Sequence, residues 1–136
     1  MKKSSIVAIT AFVIGALATG GAMAVDIKVK LSGDNEVPPV KTAATGEGNI
    51  TIGDDGSVSG SVTTKGIDGT MGHIHLAAPG KNGPVIVKLT KDGDTYKVPA
   101  DAHLDSAQVA AFKAGDLYVN VHSAANKSGE IRAQLK

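Results

Sequence analysis

The sequence predicts an all-β domain: an antiparallel Greek-key β-sandwich or flattened barrel of seven to eight strands, with one short helix inserted near Leu104–Gly115. Three observations carry this. Apolar residues recur at every second position through most of the chain from Asp26 onward, the period of a half-buried strand. The alternating runs are short and separated by glycine-containing turns, and 17 glycines suit a turn-rich β fold better than a helical bundle. Only one segment, Leu104–Gly115, replaces alternation with Ala, Gln and wider-spaced apolar residues.

The first 24 residues stand apart. Lys2 and Lys3 precede an apolar run from Ile6 to Ala18, and Ala22-Met23-Ala24 offers the small-x-small pattern of a cleavage site. This reads as a secretory signal peptide, residues 1–24, and places the protein in the periplasm or outside the cell. The run is shorter than the roughly 20 residues a membrane span needs, so no membrane contact is expected after cleavage. Residues 25–136 then form a single domain.

In the domain, "DIKVKLSG" (Asp26–Gly33) alternates Ile27, Val29 and Leu31 with Lys28 and Lys30. It reads as an edge strand whose lysines deter edge-to-edge association. Pro38-Pro39 keeps Asn35–Gly46 out of a central strand, so that stretch is a loop, with Glu36 as a lock. "EGNITIG" and "SVSGSVTTKG" form a hairpin through Asp54-Asp55-Gly56. "MGHIHLA" is a strand, "PGKNGP" (Pro79–Pro84) a turn, and "VIVKLTK" a strand that returns through Gly93. The helix has Asp105 or Ser106 to cap it, Val109, Phe112 and Leu104 as its apolar stripe, and Gly115 to end it. "DLYVNVH" and "GEIRAQL" are the last two strands.

Composition excludes several functions. Residues 25–136 have 12 basic against 13 acidic residues, a formal charge of −1, and only Phe112, Tyr96 and Tyr118 as aromatics. Nucleic acid has neither a charge footprint nor a stacking platform here. No nucleophile sits in a hydrolase context and no phosphate loop opens a helix. With no cysteine, any metal site must use imidazole and carboxylate, a donor set that suits copper, zinc, iron or nickel.

Two of the four histidines stand one residue apart in "MGHIHL". On a strand, Met71, His73 and His75 share one face and Ile74 and Leu76 the other. With the apolar pair in the core, the two imidazoles point to solvent about 7 Å apart at the backbone, near enough to converge on one ion. In "LYVNVH", Tyr118, Asn120 and His122 share the outer face in the same way. Pairing Val121 with Ile131, Val119 with Ala133 and Leu117 with Leu135 keeps the last hairpin's apolar residues together. That register sets His122 opposite Glu130, which could orient its ring, and brings Arg132 near the histidine face. His73, His75 and His122 are thus candidate metal ligands. His103, in the loop before the helix, is a possible fourth, and Met71 shares the face.

The segments "LSGDNEVPPVKTAATGEG", "GHIHLAAPGKNGPVIVKL" and "LDSAQVAAFKAGDLYVNVHSAANKSGEIRAQL" resemble the CHRD domain, the repeat unit of chordin that also occurs in single-domain bacterial secreted proteins. Only Ala133 departs, where the family pattern usually has glycine. More weakly, the His-x-His strand with a later strand histidine is similar to the copper half of copper/zinc superoxide dismutases. That likeness implies copper on His73, His75 and His122, with His103 completing the set and Arg132 guiding the superoxide anion. The zinc loop and the cysteine pair of those enzymes are absent, so a dismutase of this kind would be copper-only. Zinc is the second choice of metal. The competing readings are a copper carrier or buffer without turnover and a metal-free interaction or adhesion module. A homodimer is compatible with each.

Overall fold

The computed structural model describes residues 23–136. The signal-peptide expectation falls on residues outside that range, except for Met23 and Ala24, which lead directly into the first strand. Nine strands form one antiparallel sheet: β1 (Ala24–Ser32), β2 (Thr45–Gly53), β3 (Val58–Lys65), β4 (Gly69–Leu76), β5 (Val85–Lys88), β6 (Thr90–Asp92), β7 (Thr95–Lys97), β8 (Leu117–Ser123) and β9 (Ile131–Gln134). One helix, α1 (Ser106–Lys113), lies between β7 and β8. Their order in the sheet is β5-β4-β8-β9-β1-β2-β3-β7-β6. The sheet curls into a nearly closed barrel around Ile50, Val62, Ile74, Val119, Val121 and Ile131, all wholly buried.

The count of nine, against the expected seven to eight, comes from the segment read as one strand, Val85–Lys91. Its first part pairs with β4 and its second with β7, so it serves both edges of the sheet. The corner is at Leu89, whose N–H donates to Gly72 O at 2.9 Å. Alternation runs unbroken through such a corner, so the pattern alone does not reveal it. The first strand stands between β2 and β9 in the sheet order but pairs with β9 only at Ser32↔Arg132, so most of that side stays an edge, with Ile27, Val29 and Leu31 buried and the lysines outside.

Local signals act as expected elsewhere. Gly56 closes the β2–β3 turn at φ 87°, and Asp55 Oδ1 accepts the Ser57 N–H at 2.9 Å. Asp105 caps α1 by accepting from Gln108 N–H at 2.8 Å, while Gln108 Oε1 accepts from Asp105 N–H at 3.0 Å. This reciprocal pair satisfies two donors the helix start leaves free. Val109 and Phe112 turn into the barrel end.

The register of β8 with β9 is Val119↔Ala133 and Val121↔Ile131, as the apolar pattern requires. One expectation fails at this point. The outer face of β8 is not open to solvent: all seven residues, Leu117–Ser123, are buried. Loop segments Glu36–Val37, Ala77–Pro84 and Lys127–Gly129 lie across that face: Asn120 meets Glu36, Tyr118 Oη accepts from Gly83 N–H, His122 bonds to Lys127 O, and Asn82 donates to Val37 O between two of the loops.

Candidate metal centre

β4 presents the first two histidines. Gly72 faces inward with Ile74, where an added Cβ would come within 2.9 Å of the Tyr96 ring. Met71, His73 and His75 therefore face outward. In the β4–β8 register Met71 is opposite His122, His73 opposite Asn120 and His75 opposite Tyr118. His122 is thus diagonal to His73, and the three rings gather. Their donor atoms lie within 4.8 Å of one another. His73 Nδ1 is 3.0 Å from His122 Nε2, and the His73 and His75 ring centroids are 5.5 Å apart.

Hydrogen bonds set the tautomers. His122 Nδ1 is 2.8 Å from Lys127 O, and His75 Nδ1 is 2.9 Å from Gly83 O. A carbonyl only accepts, so both Nδ1 atoms carry the proton and each Nε2 keeps its lone pair. Donating the remote N–H to a carbonyl is how proteins orient a metal-binding imidazole. Without an ion, His73 Nδ1–H donates to His122 Nε2.

His75 Nε2 faces the side-chain amide of Asn120 at 2.9 Å, and that amide faces Glu36 Oε1 at 3.4 Å. Gly129, at φ 122°, allows the close approach: its Cβ would come 2.5 Å from both Asn120 Nδ2 and Glu36 Oε1. The amide end nearer each partner is interchangeable, so two proton arrangements fit. A doubly protonated His75 can donate to Asn120 while Asn120 donates to ionised Glu36. Alternatively, protonated Glu36 donates to Asn120, which donates to the lone pair of neutral His75. Burial favours the second, because charges are costly out of water. It raises the Glu36 carboxyl against the opposing effects of Asn120 and Arg132. It lowers the His75 imidazole against its two hydrogen bonds. Burial, with His122, His75 and Lys88 nearby, also brings His73 down to about 4. Neutral rings at neutral pH are what a metal ion requires.

The other predicted residues fall elsewhere. His103 is exposed and bridges to Ser57 beside the β2–β3 turn, so it is no part of the cluster. The β8–β9 pairing ends at Val121↔Ile131 and the Glu130 N–H donates to Val121 O at 2.8 Å, so Glu130 is not in register with His122; its carboxylate accepts from Thr42, Ser123 and Asn126. Burial would raise it, and those three bonds outweigh burial and hold it below its ordinary value. The ring of His122 is oriented by the Lys127 carbonyl instead. Met71 is 50 % exposed beside the rings. Arg132 is only 1 % exposed, with its guanidinium 3.4 Å from the centre of the Tyr118 ring. A cation enclosed in this way is not presented to an incoming anion.

The sequence matches the CHRD domain over residues 27–135, almost all of the described chain. The chain belongs to the CHRD family. Comparison with curated proteins and with solved structures returns no match. In this CHRD domain the "NEVPP" element supplies Glu36, "GHIH" supplies two histidines, and "LYVNVHS" supplies Tyr118, Asn120 and His122. Tyr118 and Asn120 share the alternation parity of His122, which placed them on its face but not in contact with its neighbours. The carbonyls of Gly83 and Lys127 leave no side-chain signal. Among the described residues no helix is long and apolar enough to cross a membrane.

Proposed function

We propose that this domain binds one copper ion on His73 Nδ1, His75 Nε2 and His122 Nε2. The observation that carries the reading is that three rings bring their nitrogens within 4.8 Å of one another, and two of them give their Nδ1–H to backbone carbonyls, so that an ion would take the Nε2 lone pairs of His75 from Asn120 and of His122 from His73. A set of three neutral imidazoles without carboxylate or thiolate fits copper, with zinc as second choice, and disfavours calcium and magnesium. Bound copper would supply one-electron redox chemistry; the protein supplies the ligands, their tautomers and the cover of loops.

Between a carrier and a superoxide dismutase-like enzyme, the burial of Arg132 favours the carrier or buffer, because the cation assigned to guide the anion is sequestered. The signal-peptide pattern supports a periplasmic or secreted site of action. Titration of the purified protein with Cu(II), Cu(I) and Zn(II), read by metal analysis and EPR, tests the reading. One copper per chain with nitrogen hyperfine structure is expected, and His73→Ala, His75→Ala and His122→Ala should each weaken binding. Absence of stoichiometric copper would overturn it and leave the interaction module. Superoxide turnover by the loaded protein would restore the dismutase.

A further inference from the structure

We propose that Arg132 is a positioning residue: acting through Tyr118 and the Ala77–Pro84 loop, it fixes the ring of His75. Its consequence for metal binding rests on the reading above, but the ring's position is measurable without any metal. Two routes lead from the guanidinium to the imidazole. By the first, Arg132 lies over one face of Tyr118, and the Tyr118 ring stacks on His75 at 4.6 Å with an angle of 2° between planes. By the second, Arg132 donates to Lys81 O at 2.8 Å and to Asn82 Oδ1 at 3.2 Å, which anchors the loop. The same loop carries Gly83, whose O accepts from His75 Nδ1–H at 2.9 Å and whose N–H donates to Tyr118 Oη at 3.2 Å. Gln134 reinforces the loop by donating to Ala77 O at 2.9 Å and accepting from Arg132 at 3.3 Å.

His75 is therefore held on its face by one ring and at its Nδ1 edge by one carbonyl, and Arg132 holds both; Asn120 meets the opposite edge at Nε2 and is indifferent to which face or carbonyl is lost. The arrangement is expensive. A guanidinium is taken out of water with no carboxylate bonded to it; its hydrogen bonds go to neutral acceptors and its plane to an aromatic ring. A lysine cannot reproduce this, because it lacks the planar fork that stacks and donates in two directions at once.

The test is imidazole ¹⁵N NMR on the full chain without metal, comparing the parent with Arg132→Gln and Arg132→Lys. The parent should show His75 and His122 both as the Nδ1–H tautomer. In both variants His75 should move toward the mixed tautomers of a free imidazole, while His122, held by Lys127, should not change. Backbone amides of β1–β3 report whether the barrel survives. Asn82→Ala, which removes one of the loop anchors, should shift His75 in the same direction by less, and serves where the Arg132 variants do not fold. With copper, the Arg132→Gln EPR spectrum should converge on that of His75→Ala, with affinity reduced about 10- to 100-fold. Retention of the Nδ1–H tautomer of His75 in the folded variants would overturn the proposal. A tautomer shift without copper binding by the parent would sustain it and overturn the metal reading alone.

Discussion

At the scale of single residues, the informative chain is Glu36, Asn120 and His75. Glu36→Gln preserves a donor to Asn120, so stability near neutral pH should hold or rise. Glu36→Ala leaves a buried amide without its partner and should cost about 1–3 kcal/mol in urea unfolding. The pH dependence has two signs. His73 titrates near 4 in the folded state, below its usual 6.5, so its contribution is full above 6.5 and is lost as pH falls toward 4. The Glu36 carboxyl is raised above 4.5, so its contribution is full below 4.5 and is lost as pH rises through the folded value. Urea midpoints of metal-free Glu36→Gln, from which the opposing carboxyl is removed, should therefore drop on acidification from pH 7 to 4, and the advantage of Glu36→Gln over the parent should grow as pH rises above 4.5. Residue parity alone placed His73, His75 and His122 on matching faces. It said nothing of what covers them, because cover depends on where loops fold, and loop paths leave no periodicity.

At the scale of elements, β4 and β8 carry the site and the helix does not. Gly72→Ala should press a methyl group against Tyr96 and cost about 1–3 kcal/mol by overpacking. Because Gly72 lies between Met71 and His73, the same variant should also disturb the copper EPR signal. Asp105→Ala removes the helix cap and should cost about 0.5–2 kcal/mol in thermal unfolding while leaving that signal unchanged. The pairing of β8 with β9 was legible because one slip would turn every apolar residue outward. The corner at Leu89 was not, since a strand that changes partners keeps its alternation. The burial of both faces of β8 was missed for a similar reason: Tyr118, Asn120 and His122 are polar enough to read as solvent-facing, yet each finds partners beneath the loops.

At the scale of the whole molecule, the three candidate ligands come from positions far apart in sequence, with His73 and His122 separated by 49 residues. An ion that binds only the folded arrangement adds stability by mass action, about 2.7 kcal/mol at free copper a hundredfold above Kd. Differential scanning calorimetry should show a copper-dependent rise in Tm that is absent in His122→Ala. The family match and the barrel agree with the sequence reading at this scale, because alternation and turns are distributed over the whole chain and errors in single strands average out.

The place of β9 has a consequence for biogenesis. It is the strand that joins β8 to β1, and it follows the other eight described strands in the chain. Until those four residues arrive, β8 presents a bare row of backbone donors and acceptors, the kind of edge that recruits strands from neighbouring chains. The row on β1 is different: β9 meets it only at Ser32↔Arg132, so it stays bare in the finished barrel, flanked by the exposed Lys28 and Lys30. A chaperone that shields the β8 border until β9 docks should raise the yield of folded protein.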